Sequence, residues 1–177
     1  MSSSTDPSPA ILIRVHEAPT GSNEKRTLEF SNIITIPQHL WAGLSFHTSD
    51  ISSLLGMPLK LGRYPDDNNH ISQRAILPFF LEIDPEDTAK FGKVKLDGIQ
   101  GTVIVARSDG GEVDRKKLQD MVTYFGGPIL QAIKEYRALE PGSEEKRKRA
   151  REIKDGLLTR EAFERWVTKG GRAFDKR

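Results

Sequence analysis

From Ala75 to Phe125 the chain reads as two apolar strands followed by an amphipathic helix, and this stretch constrains everything else. In Ala75–Ile83 the residues Leu77, Phe79, Leu81 and Ile83 fall on one face of an extended segment, with Ile76 and Phe80 on the other. Apolar residues on both faces predict an inner strand. Pro78 is at odds with that place, because proline cannot donate to a sheet ladder and belongs on edges or at bulges. Thr102–Arg107 is a second strand, β-branched and apolar on both faces. Asp109-Gly110-Gly111 turns out of it, and Asp114 stands where an N-cap is needed. Leu118, Met121, Val122 and Phe125 then recur at i, i+3, i+4 and i+7, which is one face of a helix.

Upstream, Ile11, Ile13 and Val15 alternate with Arg14 and His16, the period of a half-buried strand over Ala10–Glu17. A second strand carries Leu28, Phe30, Ile34 and Ile36 on one face; Asn32 interrupts it and Ile33 is out of phase, which predicts a bulge near Ser31–Asn32. These two strands form an antiparallel hairpin with a long loop, Ala18–Lys25. Trp41 is the large aromatic of the ambiguous stretch Gln38–Phe46. Thr48 or Ser49 is placed to cap a short helix, Asp50–Leu55, which Gly56 ends. Leu59 and Leu61 mark a brief strand before the polar loop Gly62–Gln73.

Downstream, Gly126-Gly127-Pro128 predicts a helix break, with a second helix carrying Ile129, Leu130, Ile133 and Tyr136. Ser143 is a candidate cap for a third helix with a thin apolar stripe of Ala150, Ile153 and Leu157, interrupted at Gly156. Thr159 is a candidate cap for a last helix bearing Phe163, Trp166 and Val167, which Gly170-Gly171 ends. Strands first and helices last predict an α+β fold: a mostly antiparallel sheet from the N-terminal half packed against helices of the C-terminal half. The expected organisation is a disordered segment over 1–9, a core domain over 10–139 and a charged helical extension over 140–177.

The 177 residues are enough for one domain with a real core, although apolar residues make up only 36% and charged ones 29%. No apolar run approaches the roughly 20 residues that cross a bilayer. Met1–Pro9 lacks the charged and apolar regions of a secretory signal, and Ser2 excludes N-myristoylation. Cysteine is absent, so disulfides, thiol nucleophiles and thiolate metal sites are excluded. A cytoplasmic or nuclear location is expected. The net charge of +2 hides an asymmetry: residues 140–177 hold 12 Lys and Arg against 8 Asp and Glu, leaving 15 against 17 elsewhere.

Candidate chemistry is sparse. His39 and His47, with Asp50 three residues beyond the second, fit no common metal spacing, and His16 and His70 stand apart. If the protein is an enzyme, His39, His47, Asp50 and His70 are the residues to carry general acid–base work in a pocket near Trp41. Asp84, Glu86 and Asp87, with Asp66-Asp67 before them, are clustered carboxylates, yet Asp84-Pro85 opens a turn and the central Gly of a calcium loop is missing. Gly98-x2-Gly101 precedes a strand and Gly110-Gly111 lacks the partners of a phosphate loop, so no cofactor and no metal are expected. The sharpest local signal is Lys146-Arg147-Lys148-Arg149, followed by Arg151. Glu144→Lys148 and Glu145→Arg149 are spaced as helical ion pairs, leaving Arg147, Arg151 and Lys154 as a basic stripe. With no interleaved aromatics to stack bases, single-strand nucleic-acid recognition is weakly supported.

The stretch FFLEIDPEDTAKFGKVKLDGIQGTVIVARSDGG (Phe79–Gly111), with Gly56-Met57-Pro58-Leu59 upstream, resembles a block shared by a group of short, uncharacterised fungal proteins. The resemblance implies a fungal source and offers no activity to carry over. With no coherent catalytic constellation beside a charged, helix-forming tail, the expected function is a non-catalytic intracellular binding or regulatory protein working through protein–protein contacts, self-association included. Arg147, Arg151, Lys154 and Trp166 are its expected partner-binding residues. The rivals are a small cofactor-independent enzyme of isomerase, cyclase or hydrolase type, and weak nucleic-acid association through the basic stripe.

Overall fold

The computed structural model describes residues 8–16, 21, 27–65, 77–87 and 93–171. In chain order the strands are β1 (Pro9–His16), β2 (Thr27–Phe30), β3 (Ile34–Thr35), β4 (Phe46–Thr48) and β5 (Leu59–Arg63). They continue with β6 (Pro78–Asp84), β7 (Lys93–Gly98) and β8 (Val103–Arg107). The helices are α1 (Gln38–Ala42), α2 (Ser52–Leu55), α3 (Arg115–Tyr124), α4 (Leu130–Ala138), α5 (Glu144–Arg151) and α6 (Arg160–Thr168). The fold class is α+β, as expected, and the residues gather into two compact units.

The first unit comprises Met1–Ser49, Met57–Phe79 and Gly98–Arg115. Its sheet runs β2-β1-β8-β5-β4, with β3 also on β1, and every pairing is antiparallel. The interior positions thus go to β1, β8 and β5, the β-branched and leucine-rich segments whose side chains pack on a pleated surface. Ala10, Leu12, Ile104 and Ala106 share one face and join Ile36 and Trp41 in a cluster. On the opposite face Ile11, Ile13, Val103, Val105, Leu59 and Leu61 are also buried. Gly62 pairs with Phe46 at the start of β4: a Cβ there would lie 2.8 Å from the Ser45 carbonyl oxygen and 3.2 Å from Ile104.

The hairpin and its bulge fall where the sequence puts them, but the bulge does more than interrupt. The β1·β2 register pairs Ile13 with Phe30, whereas β1·β3 pairs Ala10 with Ile34, an offset of one residue. A one-residue slip exchanges the faces. Phe30 therefore shares a face with Ile13, while Ile34 joins the opposite one with Ala10, so Leu28, Phe30, Ile34 and Ile36 do not share one face. Ser31 fills the gap: its backbone N–H donates to the Leu12 carbonyl, and its hydroxyl accepts from the Leu12 N–H.

The second unit comprises Asp50–Gly56, Phe80–Asp97 and Lys116–Arg177. Residues 140–171 belong to the same compact unit as α4 and most of α3, and the described residues of 10–139 divide between the two units. The expected disordered segment lies outside the described residues apart from Ser8 and Pro9, and Pro9 opens β1. Strand β6 is not an inner strand: it pairs with β7 in a separate two-stranded ribbon, with Phe79–Glu82 half-buried. Pro78 takes its first position, the place where a missing N–H does least harm. Helix α2 is ended by Gly56 in the left-handed region (φ +67), as its sequence predicts. Neither Thr48 nor Ser49 caps it; the Ser49 hydroxyl instead donates to the Pro78 carbonyl within the first unit.

Gly126-Gly127-Pro128 does not break the helix. The π turn Phe125–Ile129 joins α3 to α4 without a gap, and the Leu130 N–H reaches back five residues to the Phe125 carbonyl. Widening the turn relieves the clash between a proline ring and the carbonyl four residues earlier, and the buried face of Leu118, Met121, Val122, Phe125, Ile129, Ile133 and Tyr136 holds both halves in line. A second π turn, Glu152–Leu157, continues α5 through Gly156, closing with Leu158 N–H to the Ile153 carbonyl at 2.9 Å. Ser143 and Thr159 cap α5 and α6 as expected, accepting from the N–H groups of Lys146 and Ala162. Ser143→Ala is expected to lower the unfolding free energy by about 1 kcal/mol, as loss of such a cap does; urea titration of both proteins checks it, and an unchanged midpoint contradicts it.

Candidate functional site

Two features of the second unit stand out. The first is a groove of about 590 Å³ between the two π turns. Gly126, Gly127 and Gly156 open onto it, with no atom within 4 Å of the position a Cβ would take at any of the three. Pro128, Leu130, Ala132 and Leu157 supply apolar lining. Arg149 spans the polar side: one guanidinium nitrogen lies 2.7 Å from Glu152, and the other binds Glu135. The turns are tied beneath the groove by Tyr124, whose hydroxyl donates to the Leu157 carbonyl at 2.7 Å. Burial pushes that phenol up to about 12, so it stays protonated and a donor throughout the neutral range. Wide helical turns of this kind recur at functional sites.

The second feature is the basic stripe. Arg147, Arg151 and Lys154 occupy i, i+4 and i+7 along α5 and its π turn. The Arg151 Nε donates to Glu86 at 2.9 Å, across 65 residues of sequence, and Arg151 and Arg147 also lie 3.6 and 3.8 Å from Glu144. The Arg151 hydrogen bond, then its charge, with those of Arg147 and Lys154 beyond it, hold the Glu86 carboxyl below the usual carboxylate range. Glu86 belongs to the turn after β6, where the Asp84 carboxylate accepts from the Glu86 N–H at 3.0 Å, the turn role its Asp-Pro predicts. The expected Glu145→Arg149 pair is replaced by Arg149's contacts with Glu135 and Glu152.

Among the described residues the histidines do not assemble. His39 is exposed in the last turn of α1, and His47 on β4 stacks on Phe79 with ring centroids 4.3 Å apart. Asp50 falls in the second unit, where its carboxylate accepts from the Leu81 N–H at 2.8 Å. His70 lies outside the described residues, as do Asp66 and Asp67. Trp166 is 5% exposed and packs on Tyr124 at 5.1 Å, which makes it a core residue rather than a surface anchor. Among the described residues no group of three His, Asp or Glu is arranged to hold a metal ion, and no helix is long and apolar enough to cross a membrane. Two smaller cavities, of about 190 and 230 Å³, carry no histidine in their linings, and neither does the groove.

Sequence reasoning missed the groove because glycine and proline read as a break. The signal that would have found it is the apolar spacing, which continues in helical phase from Leu118 to Tyr136. Glu86 is legible as one of a carboxylate cluster at a turn, not as the partner of Arg151. Compared with protein-family models, curated proteins and solved structures, the chain matches none.

Proposed function

We propose that the protein is a non-catalytic binding module that acts through protein–protein contacts made by its helical unit. The groove between the π turns carries this reading. At protein interfaces the anchor side chains of one partner fill desolvated pockets of the other, and here Arg149, Glu135 and Glu152 ring an apolar floor built around three glycines. A small cofactor-independent enzyme would instead need a histidine and a carboxylate facing one cavity, and the cavities described above offer no such pair. Nucleic-acid association is the weaker reading, because the basic stripe has no interleaved aromatic side chains on which bases stack.

Gly156→Leu tests the groove. The position is exposed and open, so leucine fills the cavity while relieving a helical glycine, and stability should hold or rise by about 0.5–1 kcal/mol. A photo-crosslinker placed at Gln131 should capture a protein partner in the wild-type background and lose it in Gly156→Leu. Equal capture by both proteins, or none by either, would remove the reading. Deleting Ser143–Arg177 is a poorer test, since Ala150, Ile153, Phe163 and Trp166 are core residues of the unit.

A further inference from the structure

We infer that the stripe Arg147/Arg151/Lys154 is a docking site for an acidic peptide segment of a partner protein, and that the chain's own Asp84–Asp87 turn occupies it as an internal competitor. This rests on the binding-module reading above and names the chemistry of a partner that it leaves open.

The stripe sits on α5 and its π turn, away from the Arg149 face, so it forms a surface separate from the groove lining. Its occupant is the chain's own Asp84-Pro85-Glu86-Asp87, an acidic peptide turn in which Glu86 projects its carboxylate onto Arg151. Both partners of this contact are substantially exposed, Glu86 at 69% and Arg151 at 43% of their side-chain surfaces. An exposed pair of this kind is worth little and exchanges readily. The ribbon that carries Glu86 has only two strands, an arrangement of marginal stability unless other contacts hold it. A carboxylate from outside that takes the place of Glu86 meets Arg151, which Glu144 also approaches at 3.6 Å, with the charges of Arg147 and Lys154 beyond it, so it displaces Glu86 without any new site being built. The arrangement favours acidic protein over single-stranded nucleic acid: the seated example is a peptide, and the stripe has no aromatic residue among its members on which bases stack.

Glu86→Gln removes the competitor's charge and leaves the three bases in place. Binding of a labelled synthetic peptide containing Asp-Pro-Glu-Asp is followed by fluorescence polarisation for the full chain, its Glu86→Gln variant and the Glu86→Gln/Arg151→Ala double variant. A single-stranded oligonucleotide of matched charge runs as a parallel arm, and sedimentation reports whether copies associate. Glu86→Gln should bind the peptide about two- to fivefold more tightly than the wild type, the worth of one exposed ion pair. The gain should vanish in the double variant and shrink as salt rises from about 50 to about 150 mM. Equal peptide affinity in wild type and Glu86→Gln overturns the inference, as does tighter binding of the oligonucleotide, or wild-type self-association that Glu86→Gln abolishes. The two readings fail separately: Gly156→Leu leaves peptide binding at the stripe unchanged, whereas loss of groove capture in Gly156→Leu is indifferent to Glu86.

Discussion

Phe125→Ala should lower the unfolding free energy by about 3–5 kcal/mol, the range for truncating a buried aromatic. Phe125 is fully buried where α3 enters its π turn, between Val122 and Ile129 on the face that runs unbroken from Leu118 to Tyr136. Truncation removes the ring's apolar contacts and leaves a cavity whose walls cannot close, because the wide turn and Pro128 fix the backbone next to it. Domains are stable by about 5–15 kcal/mol in total, so the loss is a large share of the whole. Urea unfolding followed by circular dichroism gives the number directly. A change below about 1 kcal/mol would mean that the helix repacks as two pieces and that the continuous face is not what holds it.

Gly62→Val should destabilise the first unit strongly. The new Cβ would stand 2.8 Å from a backbone oxygen, that of Ser45, which cannot swing aside, and 3.2 Å from both Ile104 and Phe46. Either β4 moves off β5 or the interior of the sheet opens, and overpacking of this sort costs about 1–3 kcal/mol. Gly126→Ala is the control, since nothing lies within 4 Å of its added carbon and its helical backbone favours alanine by up to about 1 kcal/mol. If both variants melt at the same temperature, close approach of β4 is not the reason for glycine at position 62.

Much of the architecture is legible in the residues themselves. The strand at β1 is legible, although it is buried on both faces over Ala10–Ile13 rather than half-buried, and β-branching marks β8; the caps Ser143 and Thr159 and the glycine stop at 56 are set by local chemistry that neighbours hardly alter. What goes astray does so where distant contacts decide. The apolar pattern of β6 is satisfied in a half-buried ribbon as well as in a sheet interior, and only Pro78 hints at the difference. Strand β7 hides among charges, although Val94 and Leu96 alternate with Lys93, Lys95 and Asp97. The glycine–proline break is overridden by a buried face extending on both sides of it. The groove could not be read in advance, because it needs two turns more than 20 residues apart in sequence; the basic stripe is legible, but its partner, Glu86, lies 65 residues from Arg151.

The bulge at Ser31 bears on how copies of the chain avoid one another. It divides the strand beside β1 into a four-residue and a two-residue piece whose side chains face opposite ways. A long flat margin is a template on which further strands assemble into fibrils; a short, twisted one is not. Leu28 and Ile33, the exposed large apolar residues of the chain's described surface, both sit beside this break. Straightening the margin by deleting one residue of the Ser31–Ile33 stretch would align them with a continuous backbone ladder and turn a guarded border into an aggregation seed.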